Sequence, residues 1–300
     1  MRDIFENALD RLHRLSAVCF VDLNHDHRRS ILIASSGRSG STWLAELVNH
    51  RNEYRFVFEP FRRDLSRPAR GLPYGLYLDP KSGAAAEGRV VKALLEGRVR
   101  NAWSHRHNKL RIASRRIVKE IRATNLLPWI SENLPELPIV YLVRHPVAVA
   151  QSWTRMGWRD FLGEFTGQEL LMDRLSAHRP VIDEILQGGS NFERHLLRWC
   201  LENVIPLADL RPGVAHRVFY EELVADPEAE LRSLFEYLGK EVDPAVLQRV
   251  NVPSAFSCAG RPAPATTDEE LARALEIVAS FGLDHLYGRD FLPRARTRKE

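Results

Sequence analysis

The strongest constraint on the fold is a strand, loop and helix signature in residues 30–48. Residues 30–34 (SILIA) form a short, continuous apolar run, which predicts a strand buried on both faces, as in a parallel sheet. The polar sequence SSGRSGST follows at once, and TWLAELVN after it reads as a helix. A buried strand that leads through a Gly/Ser loop into a helix is the usual beginning of an α/β nucleotide-binding unit.

The loop itself has the chemistry of an anion-binding site. Gly37 and Gly40 allow a tight turn in which backbone N–H groups point inward, and Ser41 and Thr42 add hydroxyl donors at the start of the helix. Arg38 adds a fixed positive charge that holds two anionic oxygens at once. The loop therefore predicts a site for a phosphate or sulfate group.

This loop differs from the P-loop of ATP-binding proteins. That motif is GxxxxGK[ST], in which the Lys reaches the phosphates and the Ser or Thr holds Mg²⁺. Here Ser41 follows Gly40, and Gly37 stands too close to Gly40 for the pattern. A Gly/Ser turn that only joins a strand to a helix is the alternative interpretation.

The rest of the chain alternates strands and helices. The predicted strands are 30–34, 54–58, 117–121, 138–143 and 215–219. The predicted helices are 42–49, 90–99, 125–133, 227–238 and 268–280, one beginning at Pro146, and a mostly helical stretch over 161–207 that Gly188 and Gly189 interrupt. This order predicts an α/β fold with a central parallel β-sheet flanked by helices, a P-loop-like nucleotide-binding architecture with helical insertions.

Length and composition favour one globular domain. The 300 residues are 44% hydrophobic and 27% charged, which excludes a disordered, collagen-like or coiled-coil chain. We expect a single domain over 1–300, with a nucleotide-binding core at about 30–240, an N-terminal helix at 2–17 and a C-terminal helical segment at 241–300. The charged N-terminus is unlike a signal peptide, and we expect no transmembrane segment and a cytoplasmic location.

Charge is concentrated in one part of the chain. The net charge is +4, too mild to indicate nucleic acid, and we expect no nucleic-acid partner. Between Arg98 and Arg122, however, nine basic residues accompany one acid, Glu120. Such a local excess predicts a face that meets anions, although a solvated basic loop explains its first half, 98–111, equally well.

The three cysteines, Cys19, Cys200 and Cys258, have neither CxxC nor Cys/His spacing. They indicate a reducing compartment, and they argue against a disulfide framework and against a zinc site. We therefore expect no metal.

The loop sequence SGRSGSTWL resembles the 5′-phosphosulfate loop of sulfotransferases that use 3′-phosphoadenosine 5′-phosphosulfate (PAPS), in which Arg38 matches a Lys or Arg. The same family has a strand, an Arg and, eight residues later, a Ser. YLVRHPVAVAQSW supplies Arg144 and Ser152 at this spacing. The resemblance implies that these two side chains bind the 3′-phosphate of the cofactor.

A third segment extends the resemblance. VFYEELVADPEAELRSLFEYLG is similar to the family's Tyr-Glu-Asp-Leu segment, which implies an adenine contact for Tyr220, and Trp43 matches an aromatic that stacks on adenine. Core packing is the alternative for both. The Arg-Lys-Gly loop of the cytosolic branch is reduced here to CAGRP. The implied cofactor-binding residues are Ser36, Gly37, Arg38, Ser39, Gly40, Ser41, Thr42, Trp43, Arg144, Ser152, Tyr220 and Arg261.

The catalytic base is expected to be Glu59. YRFVFEPFR places Glu59 at the end of a predicted strand and resembles the Phe-Glu-Pro segment of carbohydrate 6-O-sulfotransferases. A loop ion pair with Arg62 or Arg63 is the alternative for this carboxylate. Rival bases are His105, His107 and His145, of which His145 resembles a neutral replacement for the Asp or Asn that often follows the motif Arg.

A Lys-x-x-Arg pattern similar to that of carbohydrate members occurs in IVKEIR. By this resemblance Lys119 either stabilises charge on the transferring sulfuryl group, together with Arg38, or orients the acceptor, and Arg122 contacts the acceptor. A structural pair between Lys119 and either Glu120 or a loop carboxylate is the alternative. Arg62 is a second candidate for acceptor binding.

The resemblance as a whole implies transfer of a sulfuryl group from PAPS to a hydroxyl acceptor, a carbohydrate or glycolipid, with adenosine 3′,5′-bisphosphate as product. Phenols and peptide tyrosines are alternative acceptors. A P-loop-type kinase is a competing enzyme class, against which the missing Lys and the lack of a clear Walker-B Asp both count. A non-catalytic nucleotide-binding protein is the third hypothesis. The sequence leaves the oligomeric state open.

Overall fold

The computed structural model describes residues 19–83, 86–250 and 267–294. Its centre is a sheet of five parallel strands in the order β3-β5-β2-β6-β7. Their bounds are β2, Ser30–Ser35; β3, Arg55–Phe58; β5, Arg116–Glu120; β6, Ile139–Val143; and β7, His216–Phe219. The five predicted strands and the parallel sheet flanked by helices are confirmed.

Twelve helices surround the sheet within the described ranges. They are α1, Ser41–Val48; α2, Ala86–Leu95; α3, Leu127–Asn133; α4, Pro146–Arg155; α5, Leu162–Thr166; α6, Glu169–Arg174; α7, Arg179–Gly188; α8, Asn191–Asp209; α9, Tyr220–Ala225; α10, Pro227–Tyr237; α11, Pro244–Arg249; and α12, Asp268–Ser280. Short 3₁₀ turns occupy His27–Arg29, Arg67–Ala69, Thr124–Leu126 and Ser176–His178.

The sheet is buried on both faces because alternate residues of its apolar strands point to opposite sides. In β2, Leu32 packs into the core beneath α4 and α8, whereas Ile31 and Ile33 pack with α1 and α10 on the other face. Every residue of β2, β3, β5 and β6 is buried. The continuous apolar runs of the sequence follow from this two-sided burial.

Helix α8 is the longest described helix and packs against α4, the helix that follows β6. Its start is fixed by a capping box, in which Ser190 accepts from the backbone of Glu193 and the Glu193 side chain accepts from Ser190. Gly188 ends α7, and Gly189 separates that helix from the cap, so the predicted interruption is confirmed. The packing of α8 against α4 fixes the helix that follows the motif Arg144.

Several features differ from the sequence-based prediction. Two short parallel strands, β1 (Val21–Asp22) and β4 (Ile112–Ala113), form a second small sheet. Helix α2 ends at Leu95 and not at residue 99, because Gly97 takes a left-handed φ of 72° that stops the helix. The predicted helix at 2–17, Cys258 and Arg261 lie outside the described residues.

None of the helices in the described ranges combines the length and the apolarity needed to cross a lipid bilayer.

The five parallel strands end at one common edge. The Gly/Ser loop follows β2, Glu59 follows β3, Arg122 lies just beyond β5, Arg144 follows β6 and Tyr220 follows β7. An α/β sheet places its ligands at this carboxyl edge. The topology therefore gathers residues that are far apart in the sequence.

Candidate active site

The loop between β2 and α1 has a backbone that only small residues permit at two positions. A Cβ on Gly37 would lie 2.7 Å from the Trp158 ring, and one on Gly40, whose φ is 96°, would lie 2.8 Å from the Tyr220 ring. Between them Arg38 has a φ of 69°, which is unusual for a residue with a side chain. The loop is therefore strained and tightly walled, as at many ligand-binding loops.

Polar contacts behind the loop hold it in place. The hydroxyl oxygens of Ser35 and Ser41 are 2.8 Å apart, which ties β2 to the first residue of α1. Asn203 of α8 donates to the Ser36 hydroxyl at 2.9 Å and accepts from the Tyr141 hydroxyl at 2.6 Å. Ser36 thus serves the loop from behind rather than facing a ligand directly.

Two arginines and a serine converge in front of the loop. Arg38 Nε donates to Ser152 Oγ at 3.2 Å, and Arg144 Nη1 donates to the Arg38 carbonyl at 2.9 Å. The Arg144 guanidinium lies 4.3 Å from the centre of the Tyr220 ring, and Tyr220 meets Trp43 edge to face at 6.1 Å. The predicted cofactor residues from the three motifs therefore form one contiguous group.

A single cleft of about 1090 Å³ contains most of the predicted site residues. It is lined by Gly37, Arg38, Gly40, Ser41, Thr42, Trp43, Glu59, Arg62, Lys119, Arg122, Arg144, Ser152 and Tyr220. Ser36 and Ser39 are buried behind the loop and do not line the cleft. The candidate Arg261 lies outside the described residues.

Glu59 is the centre of a buried ion-pair cluster in this cleft. Lys119 Nζ donates to Glu59 Oε1 at 2.7 Å, and Arg122 Nη1 donates to Glu59 Oε2 at 3.0 Å. The backbone of Glu59 has a φ of 45°, and its N–H donates to the Lys119 carbonyl at 2.7 Å. Burial by itself disfavours the charged form, but the charges of Lys119 and Arg122 outweigh it and hold the pKa of Glu59 below its usual range.

Glu120 is a second carboxylate in the cluster, fully buried beneath the first. It accepts from the backbone N–H groups of Phe61 at 2.8 Å, Ile121 at 2.8 Å and Arg122 at 3.0 Å. Its pKa is raised, first because of burial, while Arg122 pulls it down and the negative charge of Glu59 pushes it up. Glu120 therefore anchors the loop that carries Glu59 to the end of β5.

The side of the cleft away from the Gly/Ser loop is aromatic and basic. Tyr74 and Phe161 stack with ring centres 4.3 Å apart, and the Arg62 guanidinium lies 4.1 Å from the Trp103 ring centre. Arg62 also pairs with Asp64 at 2.9 Å. These side chains form an aromatic and basic part of the cleft wall.

The alternative partners for Glu59 are wrong, whereas for Lys119 the alternative of an ion pair with a loop carboxylate is confirmed. Glu59 pairs with neither Arg62 nor Arg63, since Arg62 pairs with Asp64 and Arg63 pairs with Glu164 at 2.7 Å. Lys119 pairs with Glu59 rather than with its neighbour Glu120. The reason is the sheet, which brings the ends of β3 and β5 together.

The three rival histidines do not line the cleft. His105 is buried with Nε2 2.7 Å from the Val99 carbonyl, His107 packs on Phe58 with ring centres 4.8 Å apart, and His145 stacks on Phe291 at 4.2 Å. Burial lowers the pKa of each of the three to about 4, so they are neutral at physiological pH. Glu59 is thus the better placed candidate base.

The structure adds residues to the cleft that sequence reasoning missed. Arg198 of α8 is fully buried in its floor, pairs with Glu202 at 2.8 Å and lies 3.9 Å from the Trp153 ring centre. Tyr74 joins it from the long loop after β3. The only signal in the sequence for Arg198 was a cation on the apolar face of a helix, and Tyr74 had none.

Comparison with known proteins assigns the chain to a family. The model of the sulfotransferase family matches residues 30–244, which is most of the chain. The chain therefore belongs to the sulfotransferase family, which confirms the predicted class of enzyme. A comparison with curated proteins gives no match.

Two solved structures similar to this chain are sulfotransferase domains, and a third is a complex with PAP, the abbreviation for adenosine 3′,5′-bisphosphate. The sulfotransferase domain from the curacin biosynthetic pathway is 21% identical, with 73% of this chain and 76% of that chain covered and a TM-score of 0.41. The sulfotransferase domain from the Synechococcus PCC 7002 olefin synthase is 18% identical, with 84% and 94% covered and a TM-score of 0.44. Retinol dehydratase in a complex with retinol and PAP is 16% identical, with 84% and 81% covered and a TM-score of 0.41.

Proposed function

We propose that the protein transfers a sulfuryl group from PAPS to the hydroxyl of an acceptor, with Glu59 as the general base. The observation that carries the proposal is the shared cleft, in which the Gly/Ser loop, Arg144 with Ser152, and the Glu59 cluster face one volume. Family membership supplies the class of reaction. The arrangement supports donor binding at one side of the cleft and acceptor binding at the other.

The residues at the donor side fit PAPS. A Cβ at Gly37 or Gly40 would collide with the Trp158 or the Tyr220 ring, so both positions require glycine and the loop backbone packs directly against these rings. Arg144 Nε is buried and has no hydrogen-bond acceptor among the described residues, as expected of a donor that a phosphate oxygen completes. PAPS supplies the sulfuryl group and a nucleotide leaving group.

Individual roles follow from this fit. Arg144 and Ser152 hold the 3′-phosphate, and Trp43 and Tyr220 border the adenine. The loop N–H groups with Ser41 and Thr42 hold the 5′-phosphate side. Arg38, which bonds to Ser152, links the two ends of the nucleotide site.

At the reacting end, Glu59 is ionised at neutral pH and accepts the proton of the acceptor hydroxyl. Lys119, 2.7 Å from Glu59, stabilises negative charge on the transferring group and the leaving oxygen. When Lys119 turns toward an anionic oxygen, it neutralises less of Glu59, whose basicity then rises. Arg122 and Glu120 keep the carboxylate in position throughout.

We propose a sugar hydroxyl as the acceptor. Phe161 and Trp158 are half-buried and line the cleft, and aromatic rings of this kind stack on sugar rings. The arginines beside them donate to hydroxyl groups. A phenol or a peptide tyrosine would use the same wall, and an acceptor panel distinguishes the three.

The experiment has two parts. Isothermal titration with adenosine 3′,5′-bisphosphate measures donor binding, and no binding at high micromolar concentration would contradict it. Incubation with radiolabelled PAPS and a panel of oligosaccharides, phenols and tyrosine peptides then measures transfer. Phosphoryl transfer from Mg-ATP to the same panel would instead indicate a kinase, and binding without any transfer would indicate a non-catalytic nucleotide-binding protein.

A further inference from the structure

A second cavity lies at the opposite, amino edge of the sheet. Its volume is about 310 Å³, and it is lined by Phe20, His25, Arg55, Gly97, Arg98, Val99 and Arg100. None of these residues lines the catalytic cleft. Arg55 is the first residue of β3, whereas Glu59 directly follows the last, so one strand connects the two places.

Behind Arg55, which lines this cavity, lies an excess of buried positive charge. The side chains of Arg55 and Arg116 are both fully buried, and both pair with Asp22, at 3.1 Å each. One carboxylate therefore faces two guanidinium groups. Burial lowers the pKa of Arg55 to about 10, and the positive charge of Arg116 contributes to the shift.

The two buried arginines differ in how well they are satisfied. Arg116 also donates to the Asp26 carbonyl at 3.0 Å and to the Ser30 hydroxyl at 3.1 Å, and among the described residues only its Nε lacks an acceptor. Arg55 donates to the Gly97 carbonyl at 2.7 Å, but its Nε and Nη1 have no acceptor among the described residues. Buried charged donors without acceptors are rare, so we expect a ligand to accept hydrogen bonds from the unpaired N–H groups of Arg55.

The walls of the cavity fit an anion. Two guanidinium groups lie close to the Phe20 ring, with Arg55 4.3 Å and Arg100 4.5 Å from its centre. Arg98 stands at the rim and pairs with Glu96 at 2.8 Å. Glu96 also forms an ion pair with Lys92 at 3.9 Å, so this carboxylate already has two cationic partners.

We propose that this cavity binds a phosphate group, held by Arg55 from the floor and by Arg98 and Arg100 from the rim. Inorganic phosphate and the phosphate of a small ester share this chemistry. The volume exceeds by far the roughly 30 Å³ that one water molecule occupies, so the organic part of an ester also fits beside Phe20. The site is separate from the one proposed for catalysis and does not depend on it.

Phosphate titration of the full-length protein tests the site, with the catalytic cleft first saturated by adenosine 3′,5′-bisphosphate and ionic strength held constant with chloride. We expect one saturable phosphate site that the double variant Arg98→Gln/Arg100→Gln weakens by about tenfold or more. Arg111→Gln is the matched control, since Arg111 is exposed, belongs to the same basic stretch and does not line the cavity. Equal phosphate affinity in the double variant, or no saturable binding in the wild type, would overturn the proposal.

Crystals grown with selenate locate the anion without reliance on nucleotide binding. An anomalous peak within hydrogen-bond distance of Arg55 or Arg100 is expected, and a peak confined to the catalytic cleft would contradict the site. Parallel titrations with inorganic phosphate and glycerol 3-phosphate show whether the site prefers free phosphate or a phosphate ester. Tighter binding of the ester supports an ester ligand, and tighter binding of phosphate supports the free anion.

Discussion

Strands β3 and β5 carry a cluster of charged side chains at each end, and the two clusters are built differently. At the carboxyl edge, Glu59 and Glu120 face Lys119 and Arg122, so opposite charges balance. At the amino edge, a single carboxylate faces two arginines. The same pair of strands thus supports one neutral and one positive cluster.

The difference lies in access as well as in charge. Glu59, Lys119 and Arg122 border the large cleft, and Glu59 keeps a left-handed backbone that costs on the order of 1–3 kcal/mol. Arg116 and Asp22 are enclosed and do not line either cavity. Balanced charge beside a cleft is available for chemistry, whereas enclosed charge mainly holds the fold.

The largest effect is expected for Glu59→Gln. Loss of the base should lower kcat for sulfuryl transfer by about 10²–10⁴-fold, because a positioned base contributes that much. Steady-state rates with radiolabelled PAPS measure it. Asp64→Asn is the matched control, since Asp64 lines the same cleft but pairs with Arg62. A Glu59→Gln rate close to that of the wild type would exclude Glu59 as the base.

Substitutions in the amino-edge cluster should lower the stability of the folded protein rather than the rate of the reaction. Asp22→Asn leaves two buried guanidinium groups without their carboxylate and should lower the free energy of unfolding by about 3–5 kcal/mol. Urea denaturation followed by circular dichroism measures it. Glu228→Gln removes a carboxylate from the exposed pair with Arg232 and should change stability by less than about 1 kcal/mol. Similar losses in the two variants would show that the buried cluster is not important for stability.

Nucleotide binding should distinguish the two edges directly. Arg144→Gln removes a charged donor from the cleft and should weaken adenosine 3′,5′-bisphosphate by about tenfold to a hundredfold, since hydrogen bonds to charged groups contribute roughly 1.5–3 kcal/mol. Arg100→Gln removes the same charge from the amino edge and should leave this affinity unchanged. Calorimetry on both variants provides the comparison, and equal weakening would mean that only overall charge matters.

The smallest effect concerns the proton affinity of Glu59. Because the positive charge of Lys119 lowers the pKa of Glu59, Lys119→Met should raise that pKa toward its usual range. In the wild type, Glu59 contributes its full stabilisation at pH values above its usual, unfolded-state pKa. This stabilisation is lost as the pH falls from that pKa toward the lower pKa of the folded protein. Titration of ¹³C-labelled glutamate carboxyls by NMR measures the change.

Arg62→Gln serves as the control for this titration. Arg62 lines the cleft but pairs with Asp64, so its removal should leave the pKa of Glu59 where it was. An unchanged pKa in Lys119→Met would mean that the ion pair at 2.7 Å has no influence on proton binding.

The sequence predicted the sheet well because each strand is a short apolar run buried on both faces. Residues 138–143 are the clearest case, and the structure places Ile139–Val143 in a fully buried strand. The two-residue strands Val21–Asp22 and Ile112–Ala113 are too short to have a periodic signal. Motif spacing also predicted which residues meet in the cleft. Arg144 lies just before the helix after β6, and Ser152 lies two turns along that helix.

The sequence did not reveal which charged residues form ion pairs with each other. Glu59 has Arg62 and Arg63 nearby in the chain, yet it pairs with Lys119, which lies 60 residues away. Parallel strands that are neighbours in space are separated by a crossover, and the register that joins Phe58 to Lys119 is fixed only by the complete sheet. The same holds for Asp22, whose arginine partners come from two other strands.

The left-handed backbone at Arg38 has a consequence for engineering. Glycine adopts a φ of 69° without penalty, so Arg38→Gly relieves strain in the loop while it removes the cation that bonds to Ser152. Selection for heat resistance alone would therefore favour the loss of a residue to which we assign a role in donor binding. At position 38, thermal stability favours glycine, whereas the proposed activity favours arginine.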